Sequence, residues 1–284
     1  MYAVTGASGQ LGRLVVDALL EEVEPARIVA LVRDPAKLDD LARRGVVVRA
    51  FDYNAPATLA PALAGVERLL LISSSEVGAR QAQHQAVVDA AKAAGVGYIV
   101  YTSILRADTN PMNLAIEHCA TEAAIKASGL PHAILRNGWY TENYVMSAAS
   151  AIEHGAFLGS AGEGRISGAS REDYAAAAAA VLVDGSVETR TFELAGDEAF
   201  SLTQFTAAIS DISGRQVIYK NLPEADYRQV LESVGLPSPI AAMLAESDAK
   251  AAHDTLFDDG GALAALIGRP TTPWRTTIEA ALKG

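Results

Sequence analysis

The segment Thr5-Gly6-Ala7-Ser8-Gly9-Gln10-Leu11-Gly12 joins a short apolar run, Tyr2–Thr5, to a stretch in which Leu11, Leu14, Val15 and Ala18 recur with helical spacing. Its glycines have the spacing G-x-x-G-x-x-G. In a strand–turn–helix setting each has a physical task. Gly6 permits the tight turn, Gly9 lets the backbone approach a pyrophosphate, and Gly12 lets the helix pack close to the strand. The helix amino terminus then presents free N–H groups and a positive dipole end to an anion. A glycine motif alone is weak, but this one has the flanking elements that a dinucleotide site requires. A cofactor-free turn of the same fold is the competing reading.

The rest of the first half repeats the same alternation. Short β-branched runs occur at 27–32, 46–51, 68–72, 98–102 and 132–135, with helical patterns between them. In one of these helices Ala79, Ala82, Ala86, Val87 and Ala90 share a face, and Gly95 marks its end; Gly129 does so after 121–128. Nearly continuous apolar strands such as Leu69-Leu70-Leu71-Ile72 are those of a parallel sheet covered on both faces. The pattern predicts an α/β fold, a Rossmann-type doubly wound parallel sheet with a smaller mixed carboxy-terminal lobe. The expected division is 1–154 for the dinucleotide-binding domain and 155–284 for the smaller lobe, with a strand at 191–195 rejoining the sheet. In that lobe Gly and Ser gather between Gly155 and Ser170, a helix spans 171–183, and a strand is expected at 216–219.

Composition narrows the function. Asp and Glu number 34 against 23 Lys and Arg, for a net charge of −11 and no basic block. Nucleic-acid binding draws mainly on phosphate neutralisation, so it is not expected. A single cysteine, Cys119, excludes a disulfide framework and a thiolate cluster, and suits a reducing compartment. Cys119 is expected to be a buried small hydrophobe. His84, His154 and His253 lack metal-ligand spacing, and Gly-x-Ser-x-Gly is absent. No run approaches the ~18–20 apolar residues that span a bilayer. With no basic leader before Tyr2, the expectation is a cytoplasmic protein without a signal peptide.

Arg33, 21 positions after Gly12, ends the second strand. Sites selective for NAD place an acid there, to bind the ribose 2′-hydroxyl. A guanidinium pairs instead with a 2′-phosphate, so Arg33 favours NADPH, with Lys37 as a second charge. Asp34 is a rival ribose ligand, although Asp34-Pro35 has the form of a helix cap. Asp52 and Tyr53 end the third strand, as an adenine edge or as a plain turn. Ser73, Ser74 and Ser75 end the fourth, and Thr102-Ser103 the fifth, where hydroxyls can bond ribose or carboxamide.

Carbonyl reduction commonly uses a Tyr-x-x-x-Lys pair to protonate the oxygen. None of the 9 tyrosines has a lysine four positions on. His118 and Glu122 stand on one helix face, as a proton relay or, more blandly, a surface ion pair. The run Arg136-Asn137-Gly138-Trp139-Tyr140-Thr141-Glu142-Asn143-Tyr144 leaves the carboxyl end of a strand, where ligands bind in such sheets. Asn137 is placed to bond a carbonyl or carboxamide. Trp139 and Tyr140 suit the walls of a flat apolar substrate, or an aromatic plug between lobes.

These stretches, with Val32 to Lys37, Leu70 to Gly78, Ala91 to Val96, Tyr101-Thr102-Ser103, Arg171 to Ala180 and Ile267-Gly268-Arg269-Pro270-Thr271-Thr272, resemble the NmrA-like atypical short-chain dehydrogenase/reductases. Within that group they resemble bacterial NADPH-dependent quinone oxidoreductases of the quinone oxidoreductase 2 type. The resemblance implies an NADPH-binding Rossmann domain, a smaller lobe closing a quinone pocket, and neither flavin nor metal. Cofactor contacts carry over onto Gly6, Ala7 to Leu11, Arg33, Ser73 to Ser75 and Asn137 to Glu142. Two departures from the wider group stand out: Arg136-Asn137-Gly138 replaces Arg-Pro-Gly, and His118 replaces a lysine.

The implied reaction is two-electron reduction of a quinone by direct hydride transfer. A missing general acid forgoes roughly 10²–10⁴ in rate, which a delocalised hydroquinone anion tolerates and an alkoxide does not. Asn137, with Tyr140 and more weakly His118, is the catalytic candidate. The alternative is an NADP(H)-binding regulatory protein without turnover. A nucleotide-sugar or isoflavone-like reductase is disfavoured by the missing dyad. The expected assembly is a monomer or homodimer.

Overall fold

The computed structural model describes residues 1–283. Its strands are β1 (Tyr2–Val4), β2 (Ile28–Val32), β3 (Val47–Ala50), β4 (Arg68–Leu71), β5 (Tyr98–Ile104), β6 (His132–Asn137), β7 (Trp139–Tyr140), β8 (Ala156–Gly159), β9 (Gly168–Ala169), β10 (Arg190–Leu194) and β11 (Ile218–Asn221). The helices used below are α1 (Gln10–Glu22), α2 (Asp39–Arg43), α3 (Leu59–Ala62), α4 (Arg80–Ala93), α5 (Asn113–Ser128), α6 (Thr141–Val145), α7 (Ala148–His154), α8 (Arg171–Val183) and α9 (Leu202–Ser213).

The main sheet has the order β10-β6-β5-β4-β1-β2-β3. Strands β1 to β6 pair in parallel, with Val4 opposite Ala30 on one side and Leu70 on the other. This is the expected doubly wound Rossmann sheet. The chain winds outward from β1 to β3, then returns to β4 on the other flank. The strand order therefore reverses at β1, and ligands of such sheets bind outside the carboxyl ends at that reversal. Strands β2, β4 and β5 are buried along their whole length, as expected of strands covered on both faces. One core cluster joins Val29, Leu31, Leu69, Leu71, Ile99 and Ile134 of the strands to Val87, Val88 and Ala91 of α4.

The chain forms two compact units, and they interleave. One comprises 1–107, 117–137 and 171–192; the other comprises 108–116, 138–170 and 193–284. The division is thus not the single cut at 154 that the sequence suggests. Helix α8 follows the small-lobe segment in the chain, yet it packs on α1 in the sheet unit. Its alanines allow close approach: Ala175, Ala177, Ala178 and Ala179 are all buried. Strand β10 rejoins the sheet as expected, at 190–194.

The second unit holds two small parallel pairs, β8 with β11 and β7 with β9. The Gly- and Ser-rich stretch 155–170 therefore contains strands, and the strand expected at 216–219 lies at 218–221. Phe200, Phe205 and Trp274 pack ring on ring there, with Tyr144 and Phe157 against them. Ser201 and Gln204 close a capping box at the start of α9.

Candidate functional site

The glycine turn follows β1 and sits at the reversal of strand order. Gly6 has φ +59°, the left-handed region that favours glycine. A Cβ on Gly12 would stand 2.3 Å from the Gly6 carbonyl oxygen and 2.9 Å from Ala7 Cα. Only glycine lets α1 approach the turn this closely. A Cβ on Gly9 would meet the same oxygen at 3.1 Å, a milder conflict. Gly9 is the N-cap of α1, and no side chain caps that end. The first turn of the helix thus keeps its N–H groups for an outside acceptor.

A cleft of about 270 Å³ opens over this turn. It is lined by the turn and the amino terminus of α1, by Arg33 and Tyr53, and by Ile72 to Glu76. Of the expected contacts, Gly6, Ser8, Gly9, Gln10, Leu11, Gly12, Arg33, Ser73, Ser74 and Ser75 line it. Ala7 is wholly buried and donates its N–H to the Leu31 carbonyl at 3.1 Å, so it shapes the turn from beneath. Lys37 is exposed on the turn Pro35–Leu38 and is not among the residues that line the cleft. Asp34 Oδ1 accepts from the Ala36 N–H at 3.2 Å, which makes it the cap of that turn. Arg33 is thus the basic residue at the β2 end of the cleft.

Asp52 and Tyr53 also line the cleft. Tyr53 Oη lies 2.6 Å from Thr5 Oγ1 and 2.8 Å from the Ile72 carbonyl, and Thr5 Oγ1 accepts from the Ile72 N–H at 2.8 Å. Burial raises the Tyr53 pKa. This hydroxyl triangle ties the ends of β1, β3 and β4 into one frame.

The segment after β4 is braced from behind. Thr102 Oγ1 accepts from the Ser73 N–H at 2.9 Å. His84 Nε2 accepts from the Ser74 N–H at 2.9 Å, so the imidazole proton is on Nδ1, 2.8 Å from Thr121 Oγ1. Burial, with the Arg80 charge nearby, holds His84 down at a pKa of about 4. The buried face of α4 carries Arg80, Gln83 and His84 beside Val87, Val88 and Ala91. The expected alanine face is wrong here: Ala82 is exposed, and Ala79, Ala86 and Ala90 are only partly buried. Hydrophobic periodicity misses the true face because polar side chains occupy it, Gln83 and His84 through hydrogen bonds.

His118 and Glu122 are not a surface ion pair. Both are buried, and each has another partner. His118 Nδ1 lies 2.8 Å from Tyr101 Oη. Burial and the Arg80 charge hold His118 neutral, with a pKa of about 3. A group whose pKa lies so far below neutral pH is not poised to relay protons. Glu122 accepts from Arg136 through two bonds of 2.9 Å and from Ser103 Oγ at 2.7 Å. Burial pushes its carboxyl up, but these bonds and the Arg136 charge outweigh that and hold it low.

Asn137 is the last residue of β6 and 5% exposed. Its backbone carbonyl accepts from the Leu105 N–H at 2.9 Å, while its side-chain Oδ1 is buried with no hydrogen-bond partner. A buried acceptor left unmade costs about 1–3 kcal/mol, which a bound donor would recover. The residues after it belong to the second unit. Gly138 donates its N–H to the Leu194 carbonyl at 2.7 Å. Trp139 and Tyr140 form β7 and are partly exposed; Thr141, whose Oγ1 is buried, and Glu142 begin α6. What reads as one loop is thus a strand end, a short strand and a helix.

Cys119 is half-buried, with Sγ 2.9 Å from the Ala107 carbonyl. Among the described residues no three His, Cys, Asp or Glu side chains converge to hold a metal, and no helix is long and apolar enough to cross a membrane.

A reversal point, a glycine cradle with no room for a Cβ at Gly12, an uncapped helix and a basic residue at the β2 end define a dinucleotide-binding Rossmann protein. Sequence comparison gives the same answer: residues 6–185 match the NAD(P)H-binding family, and the chain belongs to it. Quinone oxidoreductase 2 of Escherichia coli strain K12 is 54% identical over 98% of both chains. A crystal structure of the NADPH-dependent quinone oxidoreductase from E. coli, complexed with NADPH, superposes with a TM-score of 0.96 at 52% identity, covering 99% of this chain and 100% of that one. The triphenylmethane reductase of Citrobacter sp., complexed with NADP(H), superposes at 0.95 with 35% identity over 99% of this chain and 100% of its own.

Proposed function

We propose that this protein is an NADPH-dependent quinone oxidoreductase. The observation that carries the reading is the intact cradle, with Gly12 seated against Gly6 and Arg33 at the β2 end, in a chain that matches a quinone reductase along nearly its whole length.

When bound, NADPH supplies a hydride, and with one proton from solvent this reduces a quinone to its hydroquinone. The protein's contribution is placement. The amino terminus of α1 and the Gly6–Gly9 turn would hold the pyrophosphate, and Arg33 would pair with the 2′-phosphate. The strand ends from β2 to β6 span about 19 Å at ~4.8 Å per strand, which gives a dinucleotide room to extend toward Asn137. Ser73 and Ser74 lie along that course and are held by Thr102 and His84. With the cofactor bound, the unpartnered Asn137 Oδ1 would accept from its carboxamide, and the side-chain N–H donors would be available to a quinone oxygen on which negative charge grows. No side-chain acid is required, because the hydroquinone anion is delocalised and takes its proton from water. The single cysteine in 284 residues supports a reducing compartment, the cytoplasm.

The test is NADPH absorbance with and without a small benzoquinone, with NADH as the control. Quinone-dependent loss of NADPH, much faster than that of NADH, is expected. Tight NADPH binding with no oxidation by any quinone would favour a nucleotide-sensing regulator instead.

A further inference from the structure

Opposite Arg33 stands a carboxylate that the cofactor reading leaves without a task. Glu76 follows β4 and Arg33 follows β2, the two strands that flank β1. The two side chains therefore face one another over the glycine turn, with Glu76 Oε1 3.8 Å from Arg33 Nη1. Both line the cleft and both are open to solvent.

Glu76 is held in place. Asn54 Nδ2 donates to its two oxygens at 3.1 and 3.3 Å, and Gln83 Nε2 donates to Oε2 at 2.8 Å. Gln83 is 4% exposed and also donates to Asn54 Oδ1 at 2.9 Å. The Glu76 N–H donates to Ser74 Oγ at 3.1 Å. A buried amide thus fixes a carboxylate at the end of the cleft where the nucleotide's 2′ substituent must lie if Arg33 is to reach it.

A carboxylate at this place acts on the two nicotinamide nucleotides in opposite directions. It draws back part of the Arg33 field and repels a 2′-phosphate, which weakens NADPH binding. An ionised carboxylate has about four acceptor sites. It can therefore also accept from a 2′-hydroxyl, the way an acidic residue selects NADH in sites of this fold. We propose that Glu76 is a coenzyme-selectivity residue: it restrains the NADPH preference that Arg33 creates and supplies the acceptor through which NADH is admitted. The proposal rests on the NADPH reading of this cleft.

The experiment is titration of the whole protein and of Glu76→Gln with NADPH and with NADH, at low and at high salt. Glutamine keeps one carbonyl for Gln83 and Asn54 while removing the charge and one of the two acceptor oxygens. NADPH should bind about three- to tenfold tighter to the variant, a change typical of one charge pair in high dielectric. NADH should bind about two- to fivefold more weakly, and the NADPH gain should shrink as salt screens it. Both nucleotides shifting by the same factor, or NADPH affinity unchanged, would overturn the proposal. If the unsubstituted protein binds neither nucleotide, the cofactor reading itself fails, and that result is distinguishable before any variant is compared.

Discussion

Arg136 grips Glu122 through two parallel bonds of 2.9 Å, and both side chains are almost wholly buried. The pair joins the carboxyl end of β6 to α5, one residue before Asn137. Because successive strand residues face opposite sides of a sheet, Arg136 anchors to the helix while Asn137 is presented to the other face. The position of the candidate catalytic amide thus depends on a buried ion pair. Removing one partner of such a pair leaves an uncompensated charge and typically costs about 3–5 kcal/mol. Glu122→Gln is therefore expected to lower stability by several kcal/mol in urea unfolding, with less harm when Arg136→Met is added. A single variant within about 0.5 kcal/mol of the parent, the range of an ordinary surface change, would contradict this.

Gly12→Ala tests the cradle. The added Cβ would press to 2.3 Å from the Gly6 carbonyl, so the turn or the helix must move. Overpacking of this kind costs roughly 1–3 kcal/mol. NADPH affinity should fall at least tenfold, whereas Gly9→Ala, with its 3.1 Å approach, should be milder. Equal, small effects from the two substitutions, read by equilibrium titration, would contradict a close-packing role for Gly12.

Stability should fall as pH drops below neutrality. The folded-state pKa values of His84 and His118, about 4 and about 3, lie below the ordinary value of 6.5. A depressed pKa means that the unfolded chain binds the proton first. The stability these groups contribute is present above pH 6.5 and is lost as pH falls toward the folded values. The limiting slope is about 1.4 kcal/mol per pH unit for each histidine. Asp248, whose pKa burial raises, contributes with the opposite sign. Urea unfolding at pH 7 and pH 5 should show the loss, and His118→Gln should flatten it. A slope unchanged by that substitution would contradict a neutral, buried His118.

Asn137→Ala should lower turnover by about 10²-fold, the scale for losing one donor to a developing oxyanion. NADPH affinity should change by less than about fivefold, equivalent to about 1 kcal/mol, the usual net worth of one neutral hydrogen bond. Equal losses in turnover and in NADPH affinity would remove Asn137 from the chemistry and leave it as a cofactor contact alone.

How much of this was legible beforehand depends on the kind of interaction. The glycine turn, the strands from Tyr2 to Asn137, the Asp34 cap and the outline of the cleft follow from local spacing and strand patterns. The buried polar face of α4 does not, because Gln83 and His84 count as surface residues until their partners are known, and Arg80 counts as one whatever its surroundings. The Glu122–Arg136 pair joins positions on two elements, so its partners are fixed only once those elements pack. Strand β8, Ala156–Gly159, hides in a Gly- and Ser-rich stretch because its partner, Ile218–Asn221, is distant in sequence. The interleaving of the two units has the same cause: α8 returns to the sheet unit, where it packs on α1.

The measurement that tests the central claim most directly is the stoichiometry of the reaction under anaerobic conditions, with NADPH and hydroquinone quantified together. One hydroquinone formed per NADPH consumed, without added flavin or metal and with NADH much slower, is the result expected of two-electron hydride transfer in this cleft. NADPH that binds but is never consumed by any quinone would contradict it.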